Sequence, residues 1–144
     1  MTTHFPLSEL TESDTAIRLS LNNTPPPVVM QNLDTLAHGL EQVRSYLGNK
    51  PMYVTSGYRS QAVNHAVGGA LLSAHMQGWA ADFVCPEYGT PLQIVQAISR
   101  SPISFDQCIQ EGRWVHISFA PERRGKVLTA HFSKTGVTYT EGLV

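Results

Sequence analysis

The chain has few long apolar runs and few cysteines. No stretch approaches the roughly 18 consecutive apolar residues of a transmembrane helix, and the first residues lack the basic and apolar segments of a signal peptide. Its two cysteines, Cys85 and Cys108, both fall in apolar segments, where a buried free thiol is the common state. We therefore expect no membrane insertion and no disulfide framework.

The chain also has no excess of charge of either sign. Charged residues make up 15% of the sequence and the net charge is -1, with an isoelectric point near 6.6. This composition disfavours binding to nucleic acid or to an anionic membrane surface. A length of 144 residues with 42% hydrophobic positions predicts a single domain over residues 1–144. The oligomeric state is not indicated.

Apolar periodicity predicts both helices and strands. Between residues 28 and 47 the apolar positions recur at steps of three and four, which predicts a long helix ending at Gly48. A capping box at residues 11–14 opens a short helix that is expected to run through about residue 19, and further short helices are expected at residues 61–67 and 91–99. Strands are expected at residues 52–55, 79–85, 105–110 and 114–119, with further short strands in the tail around a turn at Gly136.

Two predicted strands each carry one metal-binding type of side chain on a polar face. In residues 79–85 the odd-numbered positions are apolar and Asp82 lies on the other face. In the later strand Val115 and Ile117 form an apolar face, which leaves His116 on the opposite one. If the apolar faces share a core, Asp82 and His116 point into the same cleft. His75 precedes Asp82 by seven residues, with Gly78 between them.

His75, Asp82 and His116 together have the chemistry of a zinc site. Two imidazoles and one carboxylate suit Zn²⁺, and three protein ligands leave a fourth tetrahedral position for water, whose pKa then falls to about 7. The spacing differs from the HExxH pattern, in which one helix supplies both histidines. We predict one zinc ion per chain and a reaction in which water is the reagent.

Several motifs in order resemble the zinc D-Ala-D-Ala carboxypeptidase family of peptidoglycan peptidases, the peptidase M15-like enzymes. They are SGYRS at residues 56–60, Val63-Asn64, VGG at residues 67–69, the SxHxxGxAxD pattern at residues 73–82, and WVH at residues 114–116. Residues 7–10 and 23–26 are similar to the small branch found in phages and prophages. The resemblance covers about residues 5 to 120.

The resemblance implies an α+β fold, with helices packed on one side of a small antiparallel sheet that carries a single zinc site. It implies hydrolysis of an amide bond in peptidoglycan stem peptides, either as a D-Ala-D-Ala carboxypeptidase or as a murein endopeptidase. His75, Asp82 and His116 would then bind zinc, and Arg59 would bind a substrate carboxylate or carbonyl. A phage-lysis enzyme of this kind would be made in the cytoplasm without a signal peptide and would reach the cell wall after holin release or as part of a virion.

The sequence departs from the family at the expected catalytic base. Many relatives have an acidic residue three positions before the last histidine, where this chain has Arg113. If residues 112 and 113 form a two-residue turn, Glu111 pairs with Trp114 and its side chain lies on the face of His116. Glu111 is therefore our candidate base, and Asp106 is the alternative if a longer turn changes the register.

Several other polar and aromatic residues near the motifs have either a functional or a structural interpretation. Ser73 either hydrogen-bonds the substrate or caps a turn, and Trp79 and Trp114 either line a groove or belong to the core. His65 and His131 are weaker candidates for a proton donor or a fourth ligand.

The missing acid at position 113 also leaves a function of a different class open. The domain would then be a zinc-stabilised, non-catalytic module that binds the cell wall or a protein.

Overall fold

The computed structural model describes residues 1–143. In chain order its elements are α1 (Leu7–Thr11), α2 (Asp14–Leu19), α3 (Pro27–Tyr46), β1 (Tyr53–Ser56), α4 (Gln61–Ala66), a 3₁₀ turn (Ala74–Gln77), β2 (Ala80–Val84), α5 (Pro91–Ser99), β3 (Gln107–Gln110), β4 (Val115–Ser118), β5 (Lys126–Ser133) and β6 (Gly136–Glu141). Apart from α1 and the 3₁₀ turn, each element overlaps a segment that the sequence predicts, with ends that differ by one or two residues in several cases.

Local chemistry accounts for the ends of the helices. Ser13 precedes α2 and its hydroxyl oxygen accepts from the Ala16 backbone N–H at 3.1 Å. Pro27 begins α3 in the first turn, where a missing N–H costs nothing. Thr90 and Gln93 form a reciprocal capping box at the start of α5. These caps satisfy backbone donors that a helix leaves free.

The sheet has six strands in the order β1-β2-β4-β3-β5-β6. Every pairing is antiparallel except β3 with β5, which is parallel. The α+β class is confirmed, but the expectation of an antiparallel sheet is wrong at this pairing. After β4 the chain crosses to the far side of β3 and returns in the direction of β3. The Lys126 backbone N–H donates to the Asp106 carbonyl at 2.9 Å where the return begins.

The core lies between the helices and one face of the sheet. Leu33, Leu36 and Leu40 of α3 share a buried cluster with Phe83 and Ile117 of the sheet. The opposite face, which carries the alternate residues of β2 and β4, is therefore left for the functional side chains.

Two further expectations concern the cysteines and the membrane. Cys85 and Cys108 are both free and buried, as expected. Among residues 1–143, no helix combines the length and the apolar character needed to cross a membrane.

Candidate metal centre

The structure brings His75, Asp82 and His116 together, with one ligand-type atom of each lying within 4.8 Å of the others. Asp82 of β2 and His116 of β4 are directly paired across the sheet. His75 enters from the 3₁₀ turn, which ends at Gly78 with a φ of +80°. A Cβ at Gly78 would lie 2.8 Å from a Val29 methyl carbon, so glycine meets both the backbone and the packing requirement.

A backbone carbonyl fixes the ring of His75. The Nδ1 of His75 lies 2.8 Å from the Gly57 carbonyl oxygen, which can only accept, so Nδ1 carries the proton. A Cβ on Gly57 would lie 2.3 Å from the Leu10 carbonyl oxygen. The close approach of residues 10 and 57 therefore requires glycine. In the neutral ring the lone pair of Nε2 then points away from Gly57 into the site.

That lone pair faces another acceptor. Nε2 of His75 lies 3.3 Å from Oδ1 of Asp82, and the same oxygen lies 3.0 Å from Nδ1 of His116. Burial lowers the pKa of His75 although Asp82 raises it, which favours the neutral ring. Two acceptors this close need a cation between them.

The donor set and its spacing fit zinc. Ligands at about 2.0–2.1 Å from a tetrahedral Zn²⁺ lie about 3.4 Å from one another, which is close to the spacing of His75 and Asp82. The carbonyl behind His75 is the kind of outer partner that orients a ligating imidazole. His75, Asp82 and His116 would hold the ion.

Arg59 lies behind the Asp82 carboxylate. Its Nη2 is 3.3 Å from Oδ2 of Asp82, its Nε donates to the Ser56 hydroxyl at 3.1 Å, and its Nη1 donates to the Asn64 side-chain oxygen at 3.4 Å. Burial acts to raise the pKa of Asp82, but His75 and His116 outweigh it and hold the pKa well below its usual range. Asp82 is therefore a carboxylate, with Arg59 on one oxygen and both histidines on the other.

Asn64 is a site residue to which the sequence analysis assigned no role. Besides accepting from Arg59, its side chain donates to the Ala70 carbonyl at 2.8 Å. A Cβ on Gly69 would lie 2.0 Å from the Asn64 side-chain oxygen, which explains the glycine there. The signal was present in the sequence motifs of residues 63–64 and 67–69, in which Asn64 accepts from Arg59 and Gly69 leaves room for the Asn64 side chain.

Glu111 lies on the same face of the sheet as His116, which we call the site face. Ile109 is paired with His116, and the Glu111 backbone N–H donates to the Trp114 carbonyl at 3.1 Å. Successive alternate residues share a face. Glu111 is buried, and burial raises its pKa, while His116 and Arg59 lower it and Asp82 raises it further. Glu111 is thus close enough to these three residues for their charges to act on it.

Asp106 lies elsewhere. The register puts Cys108 opposite Ile117, so even-numbered residues of β3 face the core rather than His116. The Asp106 carboxylate instead accepts from the Arg124 backbone N–H at 3.0 Å and from its Nε and Nη2 at 2.9 Å each. The register that would have moved Asp106 to the metal centre is not the one observed, and its carboxylate fastens the connection to β5.

The remaining candidates are placed as follows. Ser73 caps the 3₁₀ turn, since its hydroxyl oxygen accepts from the His75 backbone N–H at 3.2 Å. Trp114 is half-buried on the site face and lies 6.4 Å from the Phe132 ring, centroid to centroid. His65 is exposed on α4, and His131 bonds Thr140 at 2.8 Å. In the described part of the chain, neither histidine joins the metal cluster.

Comparison with known proteins identifies the family of the chain. A family model described as peptidase M15 matches residues 3–118, which include all three candidate ligands, Arg59 and Glu111. A 43-residue segment is 49% identical to the zinc D-Ala-D-Ala carboxypeptidase of Streptomyces albus G, and it covers 30% of this chain and 17% of that protein. The chain thus spans a small part of that relative's length. Because the family model matches most of the chain, the protein belongs to the peptidase M15 family.

Proposed function

We propose that this protein is a zinc-dependent peptidase that hydrolyses an amide bond in the stem peptides of peptidoglycan. It would hold one zinc ion through His75, Asp82 and His116. The observation that carries the proposal is the pair of buried acceptors, His75 Nε2 and Asp82 Oδ1, facing each other at 3.3 Å. The family model and the Streptomyces relative, which is by name a zinc D-Ala-D-Ala carboxypeptidase, support it.

Glu111 is the proposed general base. A bound zinc ion supplies a Lewis acid for the scissile carbonyl and lowers the pKa of water. Glu111 accepts a proton from the attacking water and returns it to the leaving amine. Its raised pKa suits this role, because a carboxylate with a higher pKa takes up a proton more readily than an ordinary glutamate.

Arg59 and Ser73 are the proposed substrate contacts. The bonds from Arg59 to Ser56, Asn64 and Asp82 use three of the five N–H donors of its guanidinium. Two donors are left for a substrate carboxylate or carbonyl, counting partners among residues 1–143. Ser73 uses its oxygen as an acceptor in capping, and within residues 1–143 its own O–H is left to donate to substrate.

The finer parts of the proposal rest on the resemblance noted in the sequence. The bond cut is either the terminal D-Ala-D-Ala bond or an internal bond of the stem or cross-link. The proposed biological setting is phage lysis of the bacterial wall. The digestion experiment below identifies the bond, and deletion from a phage that encodes the chain, scored by lysis time, tests the setting.

The direct test combines metal analysis of the purified protein with mass spectrometry of peptidoglycan that it has digested. We expect about one zinc per chain and newly cut stem peptides. Glu111→Gln should keep the zinc and lose activity by about 100-fold or more. Glu122→Gln is the matched control, because Glu122 is exposed in the β4–β5 connection, and it should cut at the wild-type rate.

Two results would contradict the proposal. One zinc per chain without cleavage of any wall chemotype would support the non-catalytic binding module. Cleavage that persists in Glu111→Gln would keep the peptidase but remove Glu111 from its role.

A further inference from the structure

The C-terminal hairpin of β5 and β6 widens the sheet beyond the residues that the family model matches. The match ends at residue 118, whereas the hairpin runs from Lys126 to Glu141. β5 joins the sheet through its parallel pairing with β3, and β6 forms the edge. β5 therefore lies directly beside β3, the strand that leads into Glu111, and β6 lies one strand further out.

The register decides which hairpin side chains face the site. Ile109 is paired with both His116 and Leu128, so all three lie on one face of the sheet. Alternate residues after Leu128 stay on that face, which puts Phe132 there. The antiparallel partners continue it onto β6, because Ala130 pairs with Tyr139 and Phe132 pairs with Val137. The site face therefore continues across both strands of the hairpin.

Large apolar side chains cover this part of the face but remain open to solvent. Phe132 is 60% exposed, Tyr139 49% and Val137 41%, although aromatic side chains usually bury most of their surface. Phe132 packs against Trp114 with the ring planes inclined at 58°. Since Trp114 is two residues from His116, this surface is continuous with the metal centre.

The charges of the site also affect the pKa of Tyr139. Burial raises the pKa of its phenol, and the charges of Glu111 and Asp82 raise it further. Because the effect of a charge falls with distance, Tyr139 lies near both carboxylates.

We propose that Phe132, Val137 and Tyr139, which we call the hairpin wall, bind the stem peptide at residues removed from the bond that is cut. This inference rests on the proposed function. β5 and β6 are two and three strand spacings, or about 10 and 14 Å, from β4, which carries His116. An extended peptide advances about 3.4 Å per residue, so the wall contacts substrate about three to four residues from the scissile amide.

The occupant that fits the wall is the peptide part of the substrate. A stem peptide offers alanine methyl groups and the methylene chain of its diamino acid, which pack against aromatic and branched aliphatic surfaces. The wall side chains carry no formal charge at neutral pH, so they add area for apolar contact rather than a partner for a charged group. The hairpin thus sets a preference for long over short peptides.

The test compares three substrates that contain the bond the wild type cuts. They are a peptide trimmed to the residues flanking that bond, the full-length synthetic stem peptide, and the same stem carrying its disaccharide. We expect Phe132→Ala and Tyr139→Ala to lower kcat/KM about tenfold on both long substrates and to leave the trimmed peptide unchanged. Tyr46→Ala is the control, because Tyr46 is 44% exposed on α3, across the core from the site face.

Each of the other possible results would contradict a particular part of this proposal. Equal losses on all three substrates would mean that the wall acts on the metal centre or the fold rather than on distant substrate residues. Losses confined to the disaccharide substrate would assign the wall to the glycan. Unchanged kinetics would remove it from binding altogether. Failure of the wild type to cut any substrate would instead refute the proposed function, and calorimetric titration of the full-length stem peptide into zinc-loaded wild type and Phe132→Ala would still test the wall.

Discussion

At the scale of single residues, the site depends on positions that touch no substrate. Gly57 supplies the carbonyl that fixes His75, and it has no space for a side chain because of the Leu10 carbonyl. The residue behind a metal ligand contributes to affinity by holding the ligand in one orientation. Gly57 therefore couples the packing of the N-terminal segment to the metal site.

We expect Gly57→Ala to weaken zinc binding about 10- to 100-fold and to destabilise the fold by about 1–3 kcal/mol. The new methyl group would push the backbone of residue 57 away from residue 10 and move the carbonyl from His75. A competition titration with a zinc chelator and urea unfolding measure the two effects. Gly48→Asn is the control, because nothing lies within 4 Å of a Cβ there and asparagine tolerates the left-handed conformation. Normal zinc affinity in Gly57→Ala would show that His75 needs no such partner.

The raised pKa of Glu111 predicts the acid side of the activity profile. A general base works only when ionised, so kcat/KM should fall as pH falls through the pKa of Glu111. Burial raises that pKa, and the fall should therefore begin at a higher pH than for an ordinary glutamate, about 4.3. The measurement is kcat/KM against pH, with zinc content determined at each point. Activity that stays flat into the ordinary glutamate range, with zinc fully bound, would contradict this assignment.

At the scale of elements, the alternation of apolar and polar residues along the strands gave correct predictions. It predicted that Asp82 and His116 share a face, because period-two patterning is a property of each strand alone, and the pairing of Glu111 with Trp114 followed from the short turn. The parallel partner of β5 could not be read in the same way. It depends on contacts between separate segments of the chain, of which the contact of Asp106 with Arg124 is one. The acceptor for His75 was equally hidden, since any residue has a backbone carbonyl.

Asp106 should stabilise the crossover between β4 and β5. Hydrogen bonds from Arg124 lower the pKa of Asp106 although burial opposes them. A carboxyl whose pKa is lower in the folded state contributes stability above its unfolded value of about 3.9, and that contribution is lost as pH falls through the folded value. Asp106→Asn should therefore cost about 1–3 kcal/mol at pH 7, with the difference closing in acid.

Urea unfolding at several pH values measures this effect. Glu122→Gln serves as the control in the same connection. If the difference in the free energy of unfolding between Asp106→Asn and wild type stays constant into strong acid, the packing of the side chain rather than the ion pair stabilises the crossover.

At the scale of the whole molecule, the metal should act as part of the fold. Without a cation, the buried acceptors of His75 and Asp82 face each other at 3.3 Å. A ligand that binds only the folded state stabilises it by about 2.7 kcal/mol at 100 times its Kd. We expect removal of zinc by a chelator to lower the Tm, and added zinc to restore it. His116→Ala should lose this response, whereas a wild-type Tm indifferent to zinc would rule out a metal site in the folded chain.

The pairing of Asp82 with His116 across β2 and β4 has a consequence for the order in which the molecule forms. The two residues are 34 positions apart, and α5 and β3 lie between them in the chain. A loop of that length closes late, because closing it costs conformational entropy before the contacts between distant residues stabilise the chain. A newly made chain therefore acquires tight zinc affinity only when this loop has closed. In a refolding experiment, zinc uptake should track the slow formation of the central strand pair and lag behind the helices.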